Sequence, residues 1–183
     1  GTRLTIKNIT FENAHVQDPG GDSQYSWAAV VVGHGPMDCL YNFYFDKMIY
    51  PNAMPNAGHY KLAELEKCGK LKAIITQNID GLHQKAGSKN VLELHGSVLR
   101  NHCMKCHTFY SLDDLLNNKQ MTTCPICGGL IKPDVVLYEE GLDMTILNEA
   151  IKAVVNADLL LIIASSMLVN PAASLPYYYR GNK

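Results

Sequence analysis

The chain has 183 residues, of which 47% are hydrophobic and 18% charged, enough apolar material for a core and too much for a disordered or collagen-like chain. Sixteen Lys and Arg against 17 Asp and Glu leave a formal charge of −1, so no overall field concentrates the protein on a polyanion, and nucleic acid is not expected as a partner. No apolar run approaches the ~18 to 20 residues of a membrane span, and Gly1-Thr2-Arg3-Leu4-Thr5-Ile6 lacks the apolar core of a secretion signal, so the expectation is a cytoplasmic protein.

Residues 3–11 alternate between polar and apolar side chains as a strand does, and Asp18-Pro19-Gly20-Gly21-Asp22 is a turn. Ala28-Ala29-Val30-Val31-Val32 predicts a buried strand that ends at Gly33-His34-Gly35-Pro36. Glycines after a strand suit a phosphate loop only when a helix opens behind them, and Pro36-Met37-Asp38 opens one weakly, so a plain turn is expected. Asn56 is placed to cap a helix with an apolar stripe of Tyr60, Leu62, Ala63, Leu65 and Cys68, closed by Gly69. A strand is expected over 72–76. Later, Leu142, Ile146, Leu147, Ala150, Ile151, Val154 and Val155 form a helical face, 159–163 reads as a continuous apolar strand, and Pro171 opens another helix. Helices alternating with strands predict an α/β fold, a parallel sheet covered on both faces.

Four of the six cysteines stand as Cys103-x2-Cys106 and Cys124-x2-Cys127, with 17 residues between the pairs. Each two-residue gap turns a pair of thiolates onto one ion, and two such knuckles complete the tetrahedral sulfur shell that Zn2+ accepts. The metal expected is structural, because four sulfurs leave no open position. His102 and His107 flank the first knuckle and are left off the metal. Cys39 and Cys68, with no partner spacing, read as buried or half-buried thiols. Arg100, Lys105 and the nearby histidines are too few to make a nucleic-acid surface of this segment.

In open parallel sheets ligands bind beyond the carboxyl ends of the strands. Here those ends carry Thr76-Gln77-Asn78-Ile79-Asp80-Gly81 and Ala164-Ser165-Ser166, which suit a polyhydroxyl, amide-bearing ligand. Gln77, Asn78 and Asp80 equally suit a turn satisfied by its own side chains. Val135-Val136-Leu137 equally suits a buried strand and nothing more.

The run Thr76-Gln77-Asn78-Ile79-Asp80-Gly81-Leu82-His83, then Leu94-His95-Gly96-Ser97, the two knuckles, and Lys132-Pro133-Asp134-Val135-Val136 together resemble the sirtuins, NAD-dependent protein lysine deacylases. The resemblance runs from about Phe43 to Lys183. It implies a Rossmann-like large domain over 43–99 and 134–183, a small inserted zinc-ribbon domain over 100–133, and a cleft that takes NAD and an acyl-lysine protein or peptide. Carried over residue by residue, it implies that His95 is the general base and Asn78 a catalytic residue near the ribose. Gln77, Asn78, Ile79 and Asp80 would bind the cofactor, with Ala164, Ser165 and Ser166 in place of the family's Gly-Thr-Ser. Val135, Val136 and Leu137 would pair with the substrate backbone, a case of strand addition.

The chain departs from the family ahead of Phe43. Nine residues separate Gly33 from Phe43, and the Gly-rich cofactor loop, the lid and the helices that follow them in the family have no counterpart, so residues 1–42 are expected to be an atypical replacement for the first Rossmann unit. Ala164 also stands where the family has glycine. An active deacylase is the first expectation. The alternative is a catalytically impaired, zinc-stabilised module that keeps the peptide groove. The sequence carries no signature of acyl-chain preference or oligomeric state.

Overall fold

The computed structural model describes residues 44–118, 121–137 and 140–181. The elements expected ahead of Phe43, with Cys39 and the 33–43 connection, lie outside the described residues.

Helix α1, Ala57–Lys67, begins where the sequence caps it. Asn56 Oδ1 accepts the His59 N–H at 3.2 Å and the His59 ring returns to the Asn56 N–H at 3.3 Å, which satisfies two of the backbone donors a helix start leaves free. Gly69, at φ +72°, carries the chain out of it in a conformation that favours glycine. Strand β1, Ile74–Thr76, follows, then the single turn α2, Leu82–Lys85, and strand β2, Val91–Glu93. The two strands run parallel, with Ile74 opposite Val91 and Thr76 opposite Glu93, as two strands joined through a helix do. Under them lies an apolar cluster of Leu94, Ala150, Ala172 and Leu175, with Ile75, Leu92, Ile146 and Ile151 packed against it. Ala150 comes from the long helix that the apolar face at 142–155 predicts.

Most of the remaining elements build a second lobe, while the helix over 144–155 and the segment after Pro171 stay with the first cluster. β3, Gly96–Cys103, lies between β4, Phe109–Ser111, and β5, Ile131–Val135, in an antiparallel sheet. A short helix α3, Leu112–Asn117, leaves β4 through Ser111, and α4, Met144–Val155, opens at Asp143, whose Oδ1 takes the Thr145 N–H at 2.7 Å. The core of this lobe joins Val98, Tyr110, Leu115, Ile131 and Val135 to Tyr44, Phe45 and Ile49 from the π-helical turn Tyr44–Met48 and its flank. Inside it the Tyr44 hydroxyl lies 3.0 Å from the Val98 carbonyl oxygen and 2.9 Å from Asn101 Oδ1, so the fully buried Asn101 is paired. Burial pushes the Tyr44 phenol up to about 12. β3 runs across the 99/100 boundary and β5 across the 133/134 boundary expected from the sequence, and both strands lie in the antiparallel sheet of this lobe.

Three sequence expectations are corrected. The stretch 159–163 is not a strand: Leu159 is 71% and Ile163 64% exposed. A strand needs a neighbour to complete its ladder. Among the described residues β1 pairs with β2 alone, and 28–32, the segment expected to share the sheet, lies outside them. Cys68 is exposed rather than buried, and no residue of α1 is fully buried, because the two-stranded sheet offers that helix little apolar surface to cover. The strand expected from residue 72 begins only at Ile74, where pairing with Val91 begins. Pro171 does open a helical segment, but a 3-10 one, Ala172–Tyr178; Pro176 inside it has no N–H to give an α-helical ladder.

Candidate functional site

β1 and β2 stop side by side, and the Leu94 N–H reaches the Thr76 carbonyl at 2.9 Å as a last rung. One step further each chain turns. His95 Nδ1 lies 3.1 Å from the Gln77 carbonyl oxygen. A carbonyl only accepts, so Nδ1 is the donor in this contact, and in the neutral ring Nε2 keeps its lone pair. The loop after β1 is stitched to the start of β3: the Ile79 carbonyl accepts the Val98 N–H at 3.0 Å and the Ser97 hydroxyl at 3.4 Å. Ile79 itself packs on the core of the second lobe.

The polar residues of that loop divide their work. Asn78 donates its backbone N–H to Thr76 Oγ1 at 3.0 Å, and Asp80 Oδ1 takes the Leu82 N–H at 2.9 Å, which opens α2. The turn reading therefore accounts for one oxygen of Asp80 and leaves the other. Neither the Gln77 nor the Asn78 side-chain amide hydrogen-bonds to a described residue; Gln77 is half-buried and Asn78 exposed. These are donors and acceptors placed at a strand end without a partner among the described residues.

On the other side of His95, Gly96 stands opposite Val135 at φ +73°, and a side chain there collides with the Asp134 carbonyl oxygen. Glycine lets β3 close on β5 at this point. The His95 carbonyl then accepts the Val136 N–H at 3.1 Å, so the general-base candidate and the expected substrate strand share a hydrogen bond. Val135 is buried, Val136 half-buried and Leu137 exposed. Glu140 accepts the Leu137 N–H at 2.9 Å and the Lys132 ammonium at 3.0 Å, and these hold its carboxyl below the usual range. Ala164, Ser165 and Ser166 are exposed; Ser165 Oγ accepts the Met167 N–H at 3.2 Å, and Ala164 sits at φ +51°.

The four knuckle cysteines converge, with all their sulfurs within 4.8 Å of one another. Cys103 Sγ lies 3.4 Å from Cys127 Sγ and Cys106 Sγ 3.6 Å from Cys124 Sγ. A tetrahedral zinc shell with bonds of about 2.3 Å sets its sulfurs roughly 3.8 Å apart, so the donor set fits. Both knuckles fold alike: His107 N–H reaches the Cys103 carbonyl and Gly128 N–H the Cys124 carbonyl, each at 2.9 Å, with His107 at φ +59° and Gly128 at φ +69°. His102 and His107 stay out of the cluster; His102 stacks edge-on against Phe109. Tyr110, in the core, brings its hydroxyl to 3.0 Å from Cys124 Sγ and draws that thiol below its ordinary value, toward the thiolate a metal binds.

A family model described as Sir2 family matches residues 30–171, well over half of the sequence. The chain belongs to the Sir2 family. Among Sir2-family relatives, it is 59% identical over 145 residues to the NAD-dependent protein deacetylase of Clostridium tetani, a match over 79% of this chain and 59% of the relative. It is 60% identical over 143 residues to the NAD-dependent protein deacetylase of Clostridium perfringens, over 78% of this chain and 59% of the relative. A solved structure of Sir2 in complex with the inhibitor EX-527, 2'-O-acetyl-ADP-ribose and deacetylated p53 peptide superposes with a TM-score of 0.72 at 41% identity, covering 77% of this chain and 62% of that one. The chain thus spans about three fifths of the length of the relatives it matches. The fold of the matched part is the Rossmann-like α/β architecture with a cysteine lobe.

Sequence reasoning misses one group beside this site. Glu93, 7% exposed, accepts Gln84 Nε2 and Arg100 Nη1, each at 2.8 Å, and Arg100 Nε reaches Asp134 Oδ2 at 2.9 Å. Nothing local marks it, since Arg100 stands 7 residues from one carboxylate and 34 from the other.

Proposed function

We propose that this Sir2-family protein removes acetyl or other acyl groups from protein lysines with consumption of NAD, releasing nicotinamide and O-acyl-ADP-ribose. The observation that supports this most is the 3.1 Å contact of His95 Nδ1 with the Gln77 carbonyl oxygen, which leaves Nε2 of the neutral ring as a proton acceptor at the carboxyl ends of two parallel strands, one hydrogen bond from an extended segment. NAD, when bound, supplies a ribose carbon that takes the acyl oxygen as nicotinamide leaves. The protein's own residues then have three tasks. His95 Nε2 takes a proton from a ribose hydroxyl, the general-base task that an imidazole nitrogen with a free lone pair performs. Gln77, Asn78, Ile79 and Asp80 hold the nicotinamide and ribose, with Ala164, Ser165 and Ser166 on the cofactor's other flank. Val135, Val136 and Leu137 receive the backbone of the acyl-lysine peptide as an added strand. Zn2+ in the Cys103, Cys106, Cys124 and Cys127 shell keeps the second lobe folded and takes no part in the reaction. The large domain is read as 43–99 with 134–183, the small one as 100–133, and the setting as the cytoplasm.

The test is incubation of the zinc-loaded protein with NAD and an acetyl-lysine peptide. Nicotinamide and free lysine are expected in equal amounts. Neither product, with the peptide still bound and NAD not, would instead identify a peptide-binding module.

A further inference from the structure

We propose that Arg100 is a positioning residue that sets the substrate strand against His95, an inference that rests on the deacylase reading for what the strand receives. The three carboxylate and guanidinium groups sit at the corners of the junction between the lobes. Glu93 is the last residue of β2, two residues before His95, and is buried. Asp134 is on β5, next to Val135, and is exposed; Arg100 on β3 holds one with Nη1 and the other with Nε. A guanidinium offers donors in a fixed planar fork, so binding both carboxylates at once fixes their separation. Gln84 of α2 donates to the second oxygen of Glu93 at 2.8 Å, which ties the turn after Asp80 into the same group.

The position matters because of what the backbone does there. Between Glu93 and Asp134 the chains meet where Gly96 pairs with Val135 and Ser97 with Asp134, and the Val136 N–H to His95 carbonyl bond at 3.1 Å extends that ladder past the end of β5. The register of β3 on β5 also shifts between Ser97 and Asn101, so regular pairing breaks at this point. Arg100 stands inside that irregular interval of β3, and its side chain clamps Asp134, at the last regular pair, to Glu93. Buried Glu93 makes the clamp directional: a carboxylate out of water holds its cation more firmly than the exposed Asp134 does. Arg100 is therefore anchored on the His95 side and reaches out to the substrate side.

The experiment is a double-mutant cycle on the zinc-loaded full chain, read by calorimetric affinity for an acetyl-lysine peptide, by thermal melting, and by amide hydrogen exchange at Val136. Arg100→Gln and Asp134→Asn are each expected to weaken the peptide by about 5-fold or more, the double variant no further than Arg100→Gln alone, and Arg100→Lys to recover part of the loss. Melting is expected to fall in Arg100→Gln, which leaves the buried Glu93 without its cation, and to stay within a few degrees in Asp134→Asn, whose carboxylate is exposed. Unchanged affinity in Arg100→Gln, or losses that simply add, overturns the proposal. If the unaltered protein binds no acetyl-lysine peptide, the deacylase reading fails and the clamp is decided by exchange: about 10-fold faster exchange at Val136 in Arg100→Gln supports it, and unchanged exchange overturns it.

Discussion

At His95 the decisive feature is a backbone oxygen. The Gln77 carbonyl fixes which ring nitrogen carries the proton, so His95→Ala is expected to abolish nicotinamide release while melting stays nearly unchanged, since the half-buried ring leaves one hydrogen bond behind. A fall in melting temperature of many degrees, measured beside the activity, would make the ring a packing element instead. Gly96 is the opposite case. Its positive φ and the Asp134 carbonyl beyond it leave no room for a methyl group, and Gly96→Ala is expected to destabilise the protein by more than about 2 kcal/mol, read from urea midpoints. Ala164 stands at φ +51°, in the left-handed region where a Cβ costs roughly 1–2 kcal/mol. Ala164→Gly should relieve part of that, and a gain of about 0.5–1 kcal/mol in the same measurement is the expected result. The residue types at all three positions were visible in the sequence. That His95 needs Gln77, and that Gly96 needs to be empty, depends on residues 18 or more positions away.

Among the elements, the helices over 57–67 and 144–155 and the strand at 74–76 were legible, whereas the capped helix over 112–117 was not read and 159–163 is no strand. Asn56 starts α1 where its side chain predicts, because a capping bond spans two or three residues, and Asp143, which the sequence reading did not single out, caps α4 in the same way. The apolar face that runs into α4 also ends where expected, with Ala150 and Val154 buried. Ser111 makes the same kind of start for α3, in a reciprocal box with Asp114: the hydroxyl and the N–H of Ser111 hold the Asp114 carboxyl below its ordinary value. Ser111→Ala is expected to cost about 1 kcal/mol, measured by denaturant unfolding. Because the folded value is depressed, the contribution of that carboxylate is present above the unfolded value of ~3.9 and is lost only as pH falls through the lower, folded one. The Ser111→Ala deficit should accordingly be the same at about pH 5 as at pH 7. The 159–163 stretch shows the other behaviour. Its composition is that of a buried strand, but strand formation depends on a neighbour, and no described strand lies beside it.

Over the whole of the described chain there are two apolar clusters, one under β1 and β2 and one in the lobe of the cysteines, to which β3 and β5 belong. Cys103 and Cys124 belong to the second cluster, so the metal and that core stand together. A structural zinc site contributes on the order of 10–16 kcal/mol to folding its segment. Chelation is expected to melt the lobe of β3, β4, α3 and β5 together with the packing of Tyr44 and Phe45 on it, and to leave α4 and the parallel strands folded. Calorimetry before and after chelation should show one transition replaced by a smaller one; an unchanged trace would mean the sulfurs hold no metal that matters to the fold. The sequence by itself determined what lies within a turn or two of a residue: the cysteine knuckles, the helix starts, the polar loop after β1 and the apolar faces. Only the tertiary structure decided the tautomer of His95, the clamp of Arg100 between two carboxylates, the exposure of Cys68 and the fate of 159–163. The division follows from range: capping and chelate spacing are satisfied by neighbours in the chain, whereas a ladder, a buried face or a shared cation exists only once another segment arrives to meet it.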